Sequence, residues 1–160
     1  MTYSPQGFPK IKNVTNLADA TFVKDQVGTT IEDLEGTAVT YTPTSDATSV
    51  VYELMCAIAW SPDAAASFMN LRLQYSTDNS TWTTYDNSKI FAGNGPENND
   101  NNWHIYSMLF TVPAWTGQRY LRLAARAWSS TSEFTWGRSY SISSGELSGF
   151  CPMISVYSVV

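Results

Sequence analysis

The sequence predicts an all-β protein folded as an antiparallel β-sandwich. Charged residues make up only 14% of the chain and aromatic residues another 14%, with Thr, Ser and Asn between them, a composition that suits pleated sheet better than helix. Apolar runs of strand length follow one another, divided by Pro, Asp, Asn and Ser, at the spacing of a sandwich or barrel. At 160 residues the chain is one domain of ordinary size, long enough to bury a core without staples.

Residues 1–18, MTYSPQGFPKIKNVTNLA, hold two prolines and a glycine and show no period, so they are expected to form a short extended N-terminal arm. A single sandwich domain is expected over 19–160. Its strands read as TAVTYTP at 37–43, SVVYELMCAIAW at 49–60, FMNLRLQYS at 68–76 and STWTTYD at 80–86. A loop, GNGPENNDNN, is expected at 93–102. WHIYSMLFTVP at 103–113, RYLRLAARAWS at 119–129, SEFTWGRSYSI at 132–142 and GFCPMISVYSVV at 149–160 complete the set. About eight strands without a convincing helix pack most simply as two antiparallel sheets.

The stretch LQYSTDNSTWTTYD, 73–86, echoes the Asp-box of glycan-processing enzymes through Ser76, Asp78, Thr81 and Trp82. The echo is one residue short, Ser80 stands where Gly belongs, and no further copy occurs. Leu71, Leu73 and Tyr75 alternate with Arg72 and Gln74 ahead of the turn formers Asp78, Asn79 and Ser80, which reads as a hairpin.

Alternation also assigns faces at 119–129. Leu121, Leu123, Ala125 and Ala127 share the side that suits a core; in the C-terminal strand Ile154, Val156 and Val159 are the expected core positions. Arg122, Ala124, Arg126 and Trp128 share the opposite side. Arg and Trp are enriched at protein contacts, so Arg122, Arg126 and Trp128 are expected to form a subunit interface.

The formal charge of −5 argues against nucleic acid as a partner, since phosphates need a basic face. Charge is uneven along the chain. Residues 1–24 carry Lys10, Lys12 and Lys24 against Asp19, a net of +2, which leaves −7 on the rest. A weakly basic arm could dock on an acidic neighbour. No apolar run reaches membrane-spanning length and the N-terminus lacks the pattern of a signal peptide, so no membrane partner is expected and assembly is placed in a cytoplasm. There Cys56 and Cys151, both in apolar strand-like surroundings, are expected to be buried free thiols.

Catalytic chemistry is not expected. His104 is the only histidine, which leaves little for a triad or a zinc site. Glu32, Asp33 and Glu35 precede Gly36 in what reads as a solvated turn, with no second acid cluster to complete a glycosidase pair. The 93–102 loop lacks the Asp-x-Asp-x-Asp-Gly pattern of a calcium site. No cofactor and no metal are expected, and the chain reads as a non-enzyme.

Two passages resemble bacteriophage virion proteins. TTIEDLEGTAVTYTPTSDATSVVYELMCAIAW, 29–60, is similar to a recurring unit with a Thr/Ser-rich lead-in, a Thr-Val-Thr type strand, a TPTS turn and a long apolar strand. FTVPAWTGQRYLRLAARAW, 110–128, resembles the matching later segment of trimer-forming jelly rolls. The resemblance implies a jelly-roll sandwich like the C1q and tumour-necrosis-factor domains, working as a homotrimer on a virion and carrying no catalytic residue. Fibre tips follow a long shaft, whereas only a short arm precedes this domain. The expectation is therefore a capsid decoration or cement protein on the outer surface of the capsid, binding and stabilising the major capsid protein lattice through Tyr3, Phe8, Lys10, Ile11 and Lys12 of the arm. The rival expectation is a tail-fibre or baseplate tip that binds a host receptor or glycan on a platform of Trp82, Tyr85 and Trp103, because aromatic rings stack on sugars.

Overall fold

The computed structural model describes residues 11–12, 23–24, 29–34, 36–60, 66–86, 89–94, 103–127, 134–137 and 153–160. Twelve strands occur among them: β1 (Ile11–Lys12), β2 (Val23–Lys24), β3 (Glu32–Asp33), β4 (Val39–Tyr41), β5 (Ser49–Trp60) and β6 (Ala66–Ser76), then β7 (Thr83–Thr84), β8 (Lys89–Asn94), β9 (Trp103–Pro113), β10 (Arg119–Ala127), β11 (Phe134–Gly137) and β12 (Met153–Val159). No helix is present among the described residues, and the predicted all-β class holds.

Among the described residues all pairings are antiparallel and fall into two sheets of six strands. In the first, β5 is central. One edge of it pairs with β12 over its first half and with β11 at its end, while β9 runs along the other edge. β1 adds to β12 and β2 to β11. In the second sheet β10 lies between β6 on one side and β3 and β4 on the other, and β6 carries β7 and β8 on its far edge.

The period of two expected of a sheet with one buried face is visible in the burial. Val50, Tyr52, Leu54, Cys56 and Ile58 of β5 point inward, as do Met108, Phe110 and Val112 of β9 and Ile154 and Val156 of β12. They meet Met69, Leu71 and Leu73 of β6 and Leu121, Leu123, Ala125 and Ala127 of β10 in one core. The face predicted for 119–127 is the buried one. The outer face differs from a simply wet surface, since Ala124 is also buried while Arg122 and Arg126 are half-buried.

Hydrogen bonds tie the layers where side chains end in polar atoms. The Tyr52 hydroxyl donates to the Thr37 carbonyl at 2.6 Å, and the Tyr41 and Ser158 hydroxyls share a bond of 2.9 Å. Thr37, fully buried, accepts from the Leu123 amide at 3.0 Å and donates its hydroxyl proton to the Leu34 carbonyl at 2.7 Å. Gly36 makes this close turn possible with a φ of +78°, a left-handed conformation that glycine adopts without a steric penalty.

Three local expectations change. Glu32 and Asp33 do not lie in a free turn but pair with Ala125 and Ala124 of β10. Lys89–Asn94 is a strand on β6, so the expected loop begins inside an element; Gly93 and Asn94, the first residues of that loop, pair with Ser67 and Ala66. In the expected arm, Ile11 and Lys12 pair with Val159 and Ser158 at the edge of the first sheet. The rest of the 1–18 stretch lies outside the described residues.

Candidate functional site

The hairpin between β6 and β7 is organised by one carboxylate. Asp78 Oδ1 accepts from the amides of Thr81 at 2.8 Å and Ser80 at 2.9 Å, and from the Ser76 hydroxyl at 2.7 Å. These donors, the Thr81 amide first, hold its carboxyl well below the usual carboxylate range. Asn79 takes a φ of +59° at the tip. The Asp-box-like residues therefore serve the turn, which carries Trp82 over the outer face of the second sheet.

There Trp82 meets Arg122, whose guanidinium carbon stands 4.0 Å from the centre of the indole ring. Arg122 Nε donates to Gln74 Oε1 at 3.0 Å, and its Nη1 lies 3.5 Å from Asp33 Oδ2. Gln74 passes the network on, donating from Nε2 to the Thr84 hydroxyl at 3.3 Å. Register explains the meeting: Arg122 lies directly across from Gln74, and Gln74 across from Thr84. Arg72 and Arg126 occupy the same face, since both alternate with core residues on their strands. Arg72 Nε donates to Asn70 Oδ1 at 2.6 Å, and Arg126 Nε is enclosed without an acceptor among the described residues.

A second cationic cluster closes one end of the sandwich. Arg119 lies over the rings of Tyr75 at 4.5 Å and Trp115 at 5.1 Å, and donates to the Tyr85 hydroxyl at 2.9 Å. Tyr75 and Tyr85 are 4.6 Å apart, and Tyr41 meets Trp115 edge-on at 6.3 Å. Partial burial raises the Tyr85 hydroxyl against the lowering effect of Arg119. Trp115 also lines an open cleft of about 340 Å³ with Pro43, Thr44, Ala114 and Gly117.

The outer face of the first sheet has the opposite chemistry. Ile105 is 61% exposed, Leu109 46% and Met153 47%; the register sets Met55, Ser107 and Glu53 among them, with Val51 and Tyr157 paired on the next outward row. Among the described outward side chains of β5, β9 and β12, only Glu53 bears a charge, and it accepts from the Ser107 hydroxyl at 3.3 Å. The outer edge of β9 has no strand partner among the described residues.

The sequence-predicted residues are thus distributed as follows. Arg122 and Arg126 share a face, joined there by Trp82, which the sequence grouped with the glycan platform. Tyr85 belongs instead with Arg119 and the partly buried aromatics packed on the core. The structure describes only backbone for Trp103, His104, Ile11 and Lys12, while Tyr3, Phe8, Lys10, Trp128 and Cys151 lie outside the described residues. Cys56 is a buried free thiol, and burial pushes it up to about 12. The apolar residues Ile105, Leu109 and Met153 were not singled out in the sequence; their signal was a strand with apolar residues at both parities.

No protein-family model matches this chain, and no curated protein matches it. Among solved structures, a chain from "Structure of infectious bursal disease virus Gx strain" is similar with a TM-score of 0.38 at 8% identity, over 100% of this chain and 41% of that one. The chain thus spans less than half the length of its viral neighbour, a likeness too distant to bear on function.

Proposed function

We propose that this chain is a virion structural protein, a homotrimeric jelly-roll that decorates a phage capsid and stabilises the major capsid protein lattice by burying surface. The observation that carries the reading is the apolar, nearly uncharged outer face of the first sheet around Ile105, Leu109 and Met153. Large exposed apolar patches mark contact surfaces, and a long unpaired strand such as β9 favours covering. The similarity of residues 29–60 and 110–128 to phage virion proteins supplies the setting.

In this reading the apolar face joins subunits, and Tyr3, Phe8, Lys10, Ile11 and Lys12 extend the contact onto the shell from the edge where β1 pairs with β12. At about 25 cal/mol per Å² of apolar area, a few hundred Å² per subunit contributes several kcal/mol before ordering costs, and a lattice repeats the gain. Rupture of the shell would then have to break those contacts too.

The test is co-sedimentation with capsids stripped of decoration, using wild-type protein and an Ile105→Glu/Leu109→Glu variant that keeps its β-sheet circular dichroism. The wild type should sediment as a trimer and bind shells, while the variant is monomeric and weakened by at least about tenfold. A wild-type monomer that ignores shells but adheres to host cells would replace this reading with a tail-tip protein.

A further inference from the structure

The chain is acidic, yet three of its five arginines share one outer face. Arg122 and Arg126 alternate on β10, and Arg72 on β6 lies directly across from Ala124, the residue between them. The three therefore form a triangle around a small side chain. Asn70 and Gln74 beside them are buried, so the triangle has a polar amide floor, and Trp82 walls one side.

The guanidinium groups are unequally satisfied. Arg122 has Asp33, but at 3.5 Å and with the Asp33 side chain 61% exposed, a loose single contact. Arg72 and Arg126 have no carboxylate within ion-pair distance among the described residues. Arg126 Nε is enclosed without an acceptor, which leaves that group's hydrogen bonding to its terminal nitrogens. Half-buried, partly desolvated guanidinium groups bind planar anions more strongly than fully hydrated ones do.

We propose that the Arg72–Arg122–Arg126 face is a carboxylate-binding site that docks an acidic protein surface. Asp33 shows the chemistry within the chain: a carboxylate already approaches one corner of the triangle, and a partner's carboxylates take the other two. Nucleic acid fits less well, because an extended phosphate backbone needs a basic face along its length and the triangle is compact. The assembly role proposed above would supply the partner as an acidic patch on the particle, and the affinity of the face is measured without any particle.

The probe is a fluorescein-labelled hexaglutamate peptide followed by anisotropy, with hexaserine as control. Wild-type protein should bind hexaglutamate and not hexaserine, more weakly as NaCl rises from about 50 to about 300 mM. Arg72→Gln/Arg126→Gln should bind about tenfold more weakly with unchanged circular dichroism and melting, and Arg126→Lys should fall between, retaining charge without the planar fork. Asp33→Asn should bind about two- to fivefold more tightly, because it frees Arg122, an effect that a purely structural role for the arginines would not produce. The proposal is overturned if hexaglutamate does not bind, if the double variant binds as the wild type does, or if Asp33→Asn weakens binding. Tighter binding of a thymidine decanucleotide than of hexaglutamate would overturn it as well, and so would a change in sedimenting mass in the double variant, which would make the face a contact between copies.

Discussion

The Tyr52 hydroxyl donates a 2.6 Å hydrogen bond to the carbonyl of Thr37, joining the central strand of one sheet to the turn that feeds the other. Both residues are fully buried, so neither group can exchange its partner for water. Tyr52→Phe keeps the ring, its edge-on contact with Phe110 at 6.5 Å and the core volume, and removes only the donor. The expected loss is about 1–2 kcal/mol, read as a lower urea midpoint with an unchanged slope.

Alkaline pH should destabilise the protein through two buried groups. Burial raises the Cys56 thiol to about 12 from an ordinary 9.0 and pushes the Tyr52 hydroxyl above its usual range. Well below about pH 9 both are protonated in folded and unfolded chains alike, and stability does not depend on them. Above it the unfolded chain releases these protons and the folded chain does not, so stability falls with rising pH through the folded value. Thermal melting between about pH 8 and 11 should show this decline, with a shallower slope in Cys56→Ala. A thiol reagent near pH 8 should leave Cys56 unlabelled until the protein unfolds.

The Asp78 carboxylate should control the order of its hairpin. Asp78→Asn keeps the shape but weakens the acceptor for the Ser80 and Thr81 amides. Hydrogen exchange at those two amides should accelerate, while exchange at Leu123, deep in the second sheet, stays unchanged.

How much of this was legible in the sequence follows from the range of the interactions. Leu121, Leu123, Ala125 and Ala127 announced their buried face because alternation is a local property of a strand. Lys89–Asn94 did not read as a strand, since its pairing with β6 overrides the turn preference of Gly93 and Asn94. The Glu32–Asp33 strand was hidden for the same reason: carboxylates read as a solvated turn, but β10 supplies the ladder. Arg122 was visible as an arginine on an outer face, and the expectation of a subunit contact there rests on composition alone. Its neighbours Trp82 and Asp33 lie 40 and 89 residues away in the chain and meet it only through strand register.

The arm stretch is expected to contribute a little to the domain that it precedes. Ile11 and Lys12 cover part of β12, so deleting residues 2–18 removes that short ladder and bares the strand edge. Melting should fall by about 2–4 °C, corresponding to about 1 kcal/mol. Deleting residues 2–10 should leave melting unchanged and still reduce shell binding, which separates the strand from the contact.

Copy number in purified particles tests the structural role most directly. A protein that stabilises a capsid by burying surface must be present in lattice numbers, so quantitative mass spectrometry of virions against the major capsid protein should find on the order of hundreds of copies per particle. A few trimers per particle, or absence from the virion, would contradict the account.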